Sequence, residues 1–172
     1  MSLSRPRDLD DLLNYRLMRL FAVSGAPVIR LCEGRYGIAR REWRILALLA
    51  AHGPLSPSAL ADRGDLDRAR TSRAIGSLVG KKLAERVAQP GDARRAVVAL
   101  TDAGRALYDE LFPQVVAINL EVLAALEPPL VAALDEALAR LTAHAADVNR
   151  AHVLDVQADR RHGGSRRIRR TA

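Results

Sequence analysis

The stretch that most constrains this chain is Asp92-Ala93-Arg94-Arg95-Ala96-Val97-Val98-Ala99-Leu100-Thr101. Gln89-Pro90-Gly91-Asp92 at its start is turn chemistry, because Pro presets φ and Gly takes positive φ without strain. Ala96 to Leu100 is a short, valine-containing apolar run of strand character. Thr101 then offers a capping oxygen, and Asp102 places a negative charge where a helix N-terminus favours one. The order predicted is a strand over Leu83–Ala88, a charged hairpin tip, a partner strand over Ala96–Leu100 and a long helix. Two arginines at such a tip, just after an arginine-loaded helix, suggest a wing that contacts DNA. The competing reading is a solvated surface hairpin.

The segments around this hairpin read as helices. Residues 8–34 carry Leu9, Leu12, Leu13, Leu17, Leu20 and Phe21 at helical spacing. Pro27 lacks an N–H and crowds the carbonyl of Val23, which predicts a kink or break. Gly34 and Gly37 are expected to bracket a loop. Residues 40–52 form the next helix, with Trp43, Leu46, Ala47, Leu49 and Ala50 inward, and Gly53-Pro54 stops it. Ser56-Pro57 opens a short helix, Ser as cap and Pro at the first helical position, which Gly64 ends near Arg63. Asp67 caps a fourth helix from Arg68 to about Lys81. Its inward residues are Thr71, Ile75, Leu78 and Val79, and its other face presents Arg68, Arg70, Ser72 and Arg73. Thr101 opens a long fifth helix that Pro113 is expected to bend. Glu127-Pro128-Pro129 breaks it and starts a sixth, with Leu130, Leu134, Leu138, Leu141, Ala145 and Val148 inward.

Charge adds a partner to this outline. The formal net charge is +7, and of the 27 basic side chains only residues 81 and 82 are lysine. Residues 63–95 hold nine basic and four acidic side chains, and residues 157–172 hold six Arg and one Asp, so each island is net +5. Two basic islands on a near-neutral body point to a polyanion. Six aromatic residues (one Trp, three Tyr, two Phe) are poor material for stacking unpaired bases, which favours duplex over single-stranded nucleic acid.

Other classes find little support. The four histidines at 52, 144, 152 and 162 have no metal-ligand spacing, and there is no nucleophile elbow, phosphate loop or acidic catalytic pair. No enzyme activity, cofactor or metal is therefore expected. The single cysteine, Cys32, excludes an intramolecular disulfide. Met1–Pro6 has no apolar leader and no run of 18 apolar residues occurs, so no membrane span and a cytoplasmic, nucleoid-associated location are expected. The basic segment Arg160–Arg170 has Ile168 as its only strong apolar anchor, which is weak for a membrane surface.

The whole reads as a mainly α (α+β) fold: a winged helix-turn-helix with long N- and C-terminal dimerisation helices. Residues 8–38 and 101–155 are the expected dimerisation helices, 39–100 the DNA-binding domain and 156–172 a disordered basic tail. The flanking helices carry apolar stripes with no sheet to cover, and burial against a second copy is the simplest solution.

Order and residues together resemble the MarR family (multiple antibiotic resistance regulators) over residues 8–150. The most specific part is Asp92-x-Arg94 followed by Val98-x-Leu100-Thr101, the family's wing pattern. Trp43-Arg44-Ile45-Leu46, Gly53-Pro54-Leu55-Ser56, Leu60-Ala61, Leu66-Asp67, Thr71-Ser72-Arg73, Leu78-Val79 and Leu83 match in the same order. Lys82 departs from it, standing where the family usually has glycine; a lysine in a left-handed cap costs about 1 kcal/mol.

The resemblance implies a dimeric repressor of palindromic operator DNA, released by a small aromatic or phenolic effector. The residues assign Arg70 and Ser72 to bases, and Arg68 or Arg73 to phosphates. Ser56 and Ser58 offer further phosphate bonds. The resemblance makes Arg94 the minor-groove arginine; Asp92 is expected to orient it and Arg95 to meet phosphate. Arg16, Tyr36 and Trp43 are candidate ligand-binding residues, against the alternative of interface and core roles. Two alternative functions are a redox regulator acting through Cys32 and a DNA-binding protein that senses nothing.

Overall fold

The computed structural model describes residues 2–89 and 92–151, without the side chains of residues 89 and 92–95. The expected tail at 156–172 lies outside the described residues. The chain divides into two compact units, residues 1–122 and 123–172.

The first unit begins with a 3-10 turn, Leu9–Asp11, and helix α1, Leu13–Arg30. The break expected at Pro27 does not occur. One missing N–H removes one bond of the ladder, and the Leu31 N–H is bound to the Pro27 and Val28 carbonyls just beyond it. Val28 and Leu31 also pack against the core, which holds the last turn in place. A π-helical turn, Leu31–Arg35, follows. Gly34 therefore lies inside helical structure rather than at a loop edge, and of these two glycines Gly37 alone takes a left-handed φ, +61°.

Helix α2 spans Arg40–His52, α3 Pro57–Arg63 and α4 Arg68–Gly80. Their ends follow from local chemistry. Ala39 has no side-chain oxygen, so α2 is capped from the other direction, its backbone N–H donating to Glu42 Oε2 at 2.6 Å. Ser56 Oγ accepts from the Ala59 N–H at 3.2 Å, and Pro57 fills the first position of α3. Between α3 and α4 the Leu66 N–H returns to the Ala61 carbonyl at 2.9 Å and Asp65 takes φ +51°. Asp67 Oδ1 then accepts from the Ala69 and Arg70 N–H groups at 3.0 and 3.2 Å.

Strand β1, Ala84–Gln89, pairs antiparallel with β2, Asp92–Leu100. β2 is longer than expected, so the backbone of Asp92, Arg94 and Arg95 belongs to the strand and not to a free tip. The register runs from Ala84 opposite Leu100 to Ala88 opposite Ala96, then jumps to Gln89 opposite Asp92. Ala93, Arg94 and Arg95 thus lie where the ladder shifts register, an irregularity that interrupts regular pairing. Leu55 adds a third, one-residue rung: its N–H meets the Val98 carbonyl at 3.0 Å and the Val98 N–H meets its carbonyl at 2.8 Å.

Helix α5, Asp102–Leu123, continues through Pro113. The core gathers Ile38, Ile45, Leu46 and Leu49 with Leu60, Ile75, Leu78, Val98 and Leu111, all essentially inaccessible. Each such side chain contributes about 1.5–3 kcal/mol through burial. That cluster fixes α4 against α2 and α3 and joins them to β2 and α5.

In the second unit α6 spans Pro128–Ala151. Leu130, Leu134, Leu138, Leu141 and Val148 recur at helical spacing and are exposed in the single chain. α1 has no buried residue, and Leu17, Leu20 and Phe21 stand exposed. No single helix among the described residues is long and apolar enough to cross a membrane.

Candidate nucleic-acid interface

Helix α4 is two-faced. Thr71, Ala74, Ile75 and Leu78 are buried on one side, and Thr71 Oγ1 also donates to the Asp67 carbonyl at 2.9 Å. Arg68, Arg70, Ser72 and Arg73 are exposed on the other. Three guanidiniums and a hydroxyl therefore crowd the N-terminal half of a helix whose other face is anchored in the core. Guanidinium forks match phosphate and guanine edges bidentately.

Ser56 and Ser58 stand at the start of α3, and their hydroxyls lie 3.0 Å apart. Ser56 Oγ is already engaged as the α3 cap, leaving the exposed Ser58 as the freer hydroxyl. For Asp92, Arg94 and Arg95 only the strand backbone is described, so their expected roles concern side chains outside the described residues.

The far end of α4 closes with a Schellman motif. The Lys82 N–H reaches the Val79 carbonyl and the Leu83 N–H the Leu78 carbonyl, both at 3.0 Å. Lys82 takes the left-handed φ of +58° at the position where the family pattern prefers glycine.

The candidate ligand residues do not come together in one place. Arg16 is held at the N-terminal turn, donating to the Asp10 carbonyl at 2.6 Å and pairing with Asp11 at 3.2 Å. Asp11 is buried, and N–H bonds from Arg7 and Ser2, with Arg16 alongside, hold its carboxyl below the ordinary carboxylate value.

Tyr36 and Trp43 both meet α5. The Tyr36 hydroxyl donates to Glu110 Oε1 at 2.8 Å and accepts from Gln114 Nε2, and the Arg35 guanidinium lies 5.6 Å from the Tyr36 ring centre. Trp43 stacks on Tyr108 at 5.7 Å between centroids, and Tyr108 on Phe112 at 5.1 Å. The sequence reasoning missed Tyr108, Glu110, Phe112 and Gln114. Their helical spacing is visible in the sequence, but nothing local says which residues they meet 65 to 78 positions earlier.

Cys32 is fully buried in the π turn, and burial together with Glu33 raises its thiol pKa. Such a thiol is a poor nucleophile. Among the described residues no group of three or more His, Cys, Asp or Glu side chains is placed to hold a metal ion.

A short helix, a four-residue turn, an anchored helix with a basic outer face and a two-stranded hairpin define a winged helix-turn-helix domain. Residues 36–95 match the MarR family model. Over that segment, about a third of its length, the chain is similar to the MarR family. The HTH-type transcriptional repressor NicR of Pseudomonas putida is 34% identical over 68 residues, 40% of this chain and 43% of that protein. The chain thus matches under half the length of that relative. A probable transcriptional regulator from Pseudomonas aeruginosa is 29% identical, with 78% of this chain and 99% of that chain covered and a TM-score of 0.68. Bordetella bronchiseptica BpsR, whose DNA binding is regulated by 6-hydroxynicotinic acid, is 22% identical over 80% of this chain and 98% of its own, with a TM-score of 0.71. At that identity the likeness is one of fold.

Proposed function

We propose that this protein is a transcriptional regulator, acting as a repressor, that binds palindromic duplex DNA as a homodimer and is released by a small aromatic or phenolic effector. The observation that carries the reading is the basic outer face of α4: Arg68, Arg70, Ser72 and Arg73 exposed over a helix buried behind them. Arg70 and Ser72 read base edges, Arg68 or Arg73 meets phosphate, and Ser56 and Ser58 add phosphate bonds. Arg94 and Arg95 extend the contact along the wing. A second copy covers the apolar stripes that α1 and α6 each leave exposed. The match of residues 36–95 to the MarR family model and the similarity to a transcriptional repressor support a regulatory role over an enzymatic one.

For the effector, the reading rests on Tyr36 and on the Trp43–Tyr108–Phe112 stack. The phenol bonded to a carboxylate and an amide offers polar partners, and the ring stack, on another face of α5, offers flat apolar ones, to a flat molecule with one polar edge. Arg16 would serve only if a carboxylate displaced Asp11 from it. Burial of Cys32 disfavours the redox alternative.

Footprinting of purified protein on the duplex immediately upstream of its own gene tests the proposal. The expected result is a dyad footprint with half-sites about one helical turn, roughly 34 Å, apart. It should be lost on titration with 6-hydroxynicotinic acid or a related aromatic acid. Protection of a single half-site, or a monomer in sedimentation at micromolar concentration, would reject the dimeric reading.

A further inference from the structure

The last turn of α4 is pinned from two sides. The Lys81 ammonium donates to Glu42 Oε2 at 2.7 Å and to the Gly37 carbonyl at 2.8 Å. The Thr101 hydroxyl donates to the Lys82 carbonyl at 2.7 Å from the start of α5. Glu42 is buried on the first turn of α2, where the same Oε2 accepts the Ala39 N–H.

Gly37 directly follows Tyr36, whose hydroxyl is held by Glu110 and Gln114 of α5. Two sets of polar contacts, joined by the backbone between Tyr36 and Gly37, therefore run from α5 to the end of α4. Each link joins elements distant in sequence: residues 36 with 110 and 114, 37 with 81, and 42 with 81.

The residue type at the junction fits the task. An ammonium on a flexible stem gives separate N–H groups to a carboxylate and a carbonyl, where a planar guanidinium fork is confined to its own geometry. This chain uses arginine for 25 of its 27 basic side chains, yet places lysine here. Lys81 lies about 20 Å along the helix from Asp67, taking 1.5 Å per residue. Its ammonium is occupied by Glu42 and Gly37.

We infer that Lys81 is a positioning residue that couples the Tyr36–Gly37 segment to the setting of α4, so that displacing the Tyr36 phenol changes how α4 is presented to DNA. This gives the proposed effector site a route to the DNA-contacting helix. The DNA readout of that coupling rests on the proposed function; the coupling itself does not.

The experiment compares full-length wild type with Lys81→Met, Tyr36→Phe, the double variant and Lys82→Met. Lys82 is the control, since its side chain is exposed and its loss removes the same charge one residue away. Affinity is measured on the duplex upstream of the protein's own gene and on a random duplex. Amide hydrogen exchange is followed over residues 78–83. Lys81→Met is expected to weaken the upstream duplex by about 5-fold or more, the lower end of ordinary coupling between sites, and the random duplex far less. Lys82→Met should weaken both by one small common factor. Tyr36→Phe should speed exchange at residues 78–83 when Lys81 is present and change nothing further in the Lys81→Met background.

Additive effects of Tyr36→Phe and Lys81→Met in both readouts would overturn the inference. So would equal behaviour of the two lysine variants. Should Lys81→Met fail to fold, Lys81→Arg takes its place, keeping the charge but not the geometry, with the same loss of coupling expected. A wild type that binds neither duplex removes the regulator reading, and the exchange data then decide the coupling alone.

Discussion

The Thr101 hydroxyl joins two helix ends at once, donating to the Lys82 carbonyl at 2.7 Å and accepting the Gly104 N–H at 3.1 Å. The end of α4 and the start of α5 are thereby set by one side chain. The approach is close: a Cβ on Gly104 would lie 1.9 Å from the Leu83 carbonyl oxygen. Thr101→Ala is expected to cost about 1 kcal/mol, the usual loss of a capping side chain. Gly104→Ala is expected to cost more, about 3 kcal/mol, because backbone has to move. Urea unfolding of the two variants checks the order. A Gly104→Ala protein as stable as wild type would show that the two helices separate freely.

Lys82 offers the opposite outcome. Its φ of +58° is strained for a lysine and free for glycine, while the two Schellman bonds that require it are both made. Lys82→Gly is therefore expected to stabilise the protein by about 0.5–1 kcal/mol, the strain relieved less the extra freedom glycine gives the unfolded chain. A higher urea midpoint with unchanged slope is the expected readout. A lower midpoint would mean that the lysine side chain contributes more than its backbone costs.

The helix-turn-helix was legible in the sequence because its punctuation is local. Gly53-Pro54, Ser56-Pro57, Gly64 and Asp67 each act within a few residues, and the ends of α2, α3 and α4 fall where they direct. Pro27 did not break the helix because a proline removes one hydrogen bond, while packing of Val28 and Leu31 decides whether the helix survives the loss. The wing was legible as a hairpin, but its register was not. Pairing of Gln89 with Asp92 is a cross-strand property, and it moved the arginines from the tip onto the strand. The Glu42–Lys81 pair and the Tyr36 contacts were invisible for the same reason. Apart from the capping spacing of Glu42, those residues have no pattern before the fold brings them together.

Asp11 makes the N-terminal segment acid-sensitive. N–H bonds from Arg7 and Ser2, with Arg16 beside them, lower its pKa in the folded chain. A group with a depressed folded pKa adds stability that is present above its unfolded value, about 4, and is lost as pH falls through the folded value. Exchange protection of residues 2–11 should thus be constant near neutrality and disappear at acid pH below about 4. Asp11→Asn should show the weakened protection at every pH. Acid loss in wild type at pH 6 would assign the sensitivity to another group.

Arg70 and Arg94 make separable demands on DNA-binding measurements. Arg70 is exposed on α4, whose cap and buried face fix its direction of approach. As a base contact, Arg70→Ala should cost about 1–3 kcal/mol on the preferred sequence and relax preference there, with little loss on random duplex. Arg94 lies on the part of β2 where the register shifts. As a minor-groove contact, Arg94→Ala should weaken sites with AT-rich flanks most and reduce the salt slope by about one unit, one phosphate's worth of released counterion. The six arginines between residues 160 and 170 carry a diffuse positive charge in sequence terms. Removing them should lower affinity on every duplex alike and reduce the slope further, leaving the ratio of specific to random binding nearly unchanged. If instead the tail deletion changes that ratio and Arg94→Ala does not, shape is read by the tail and the wing is a solvated hairpin.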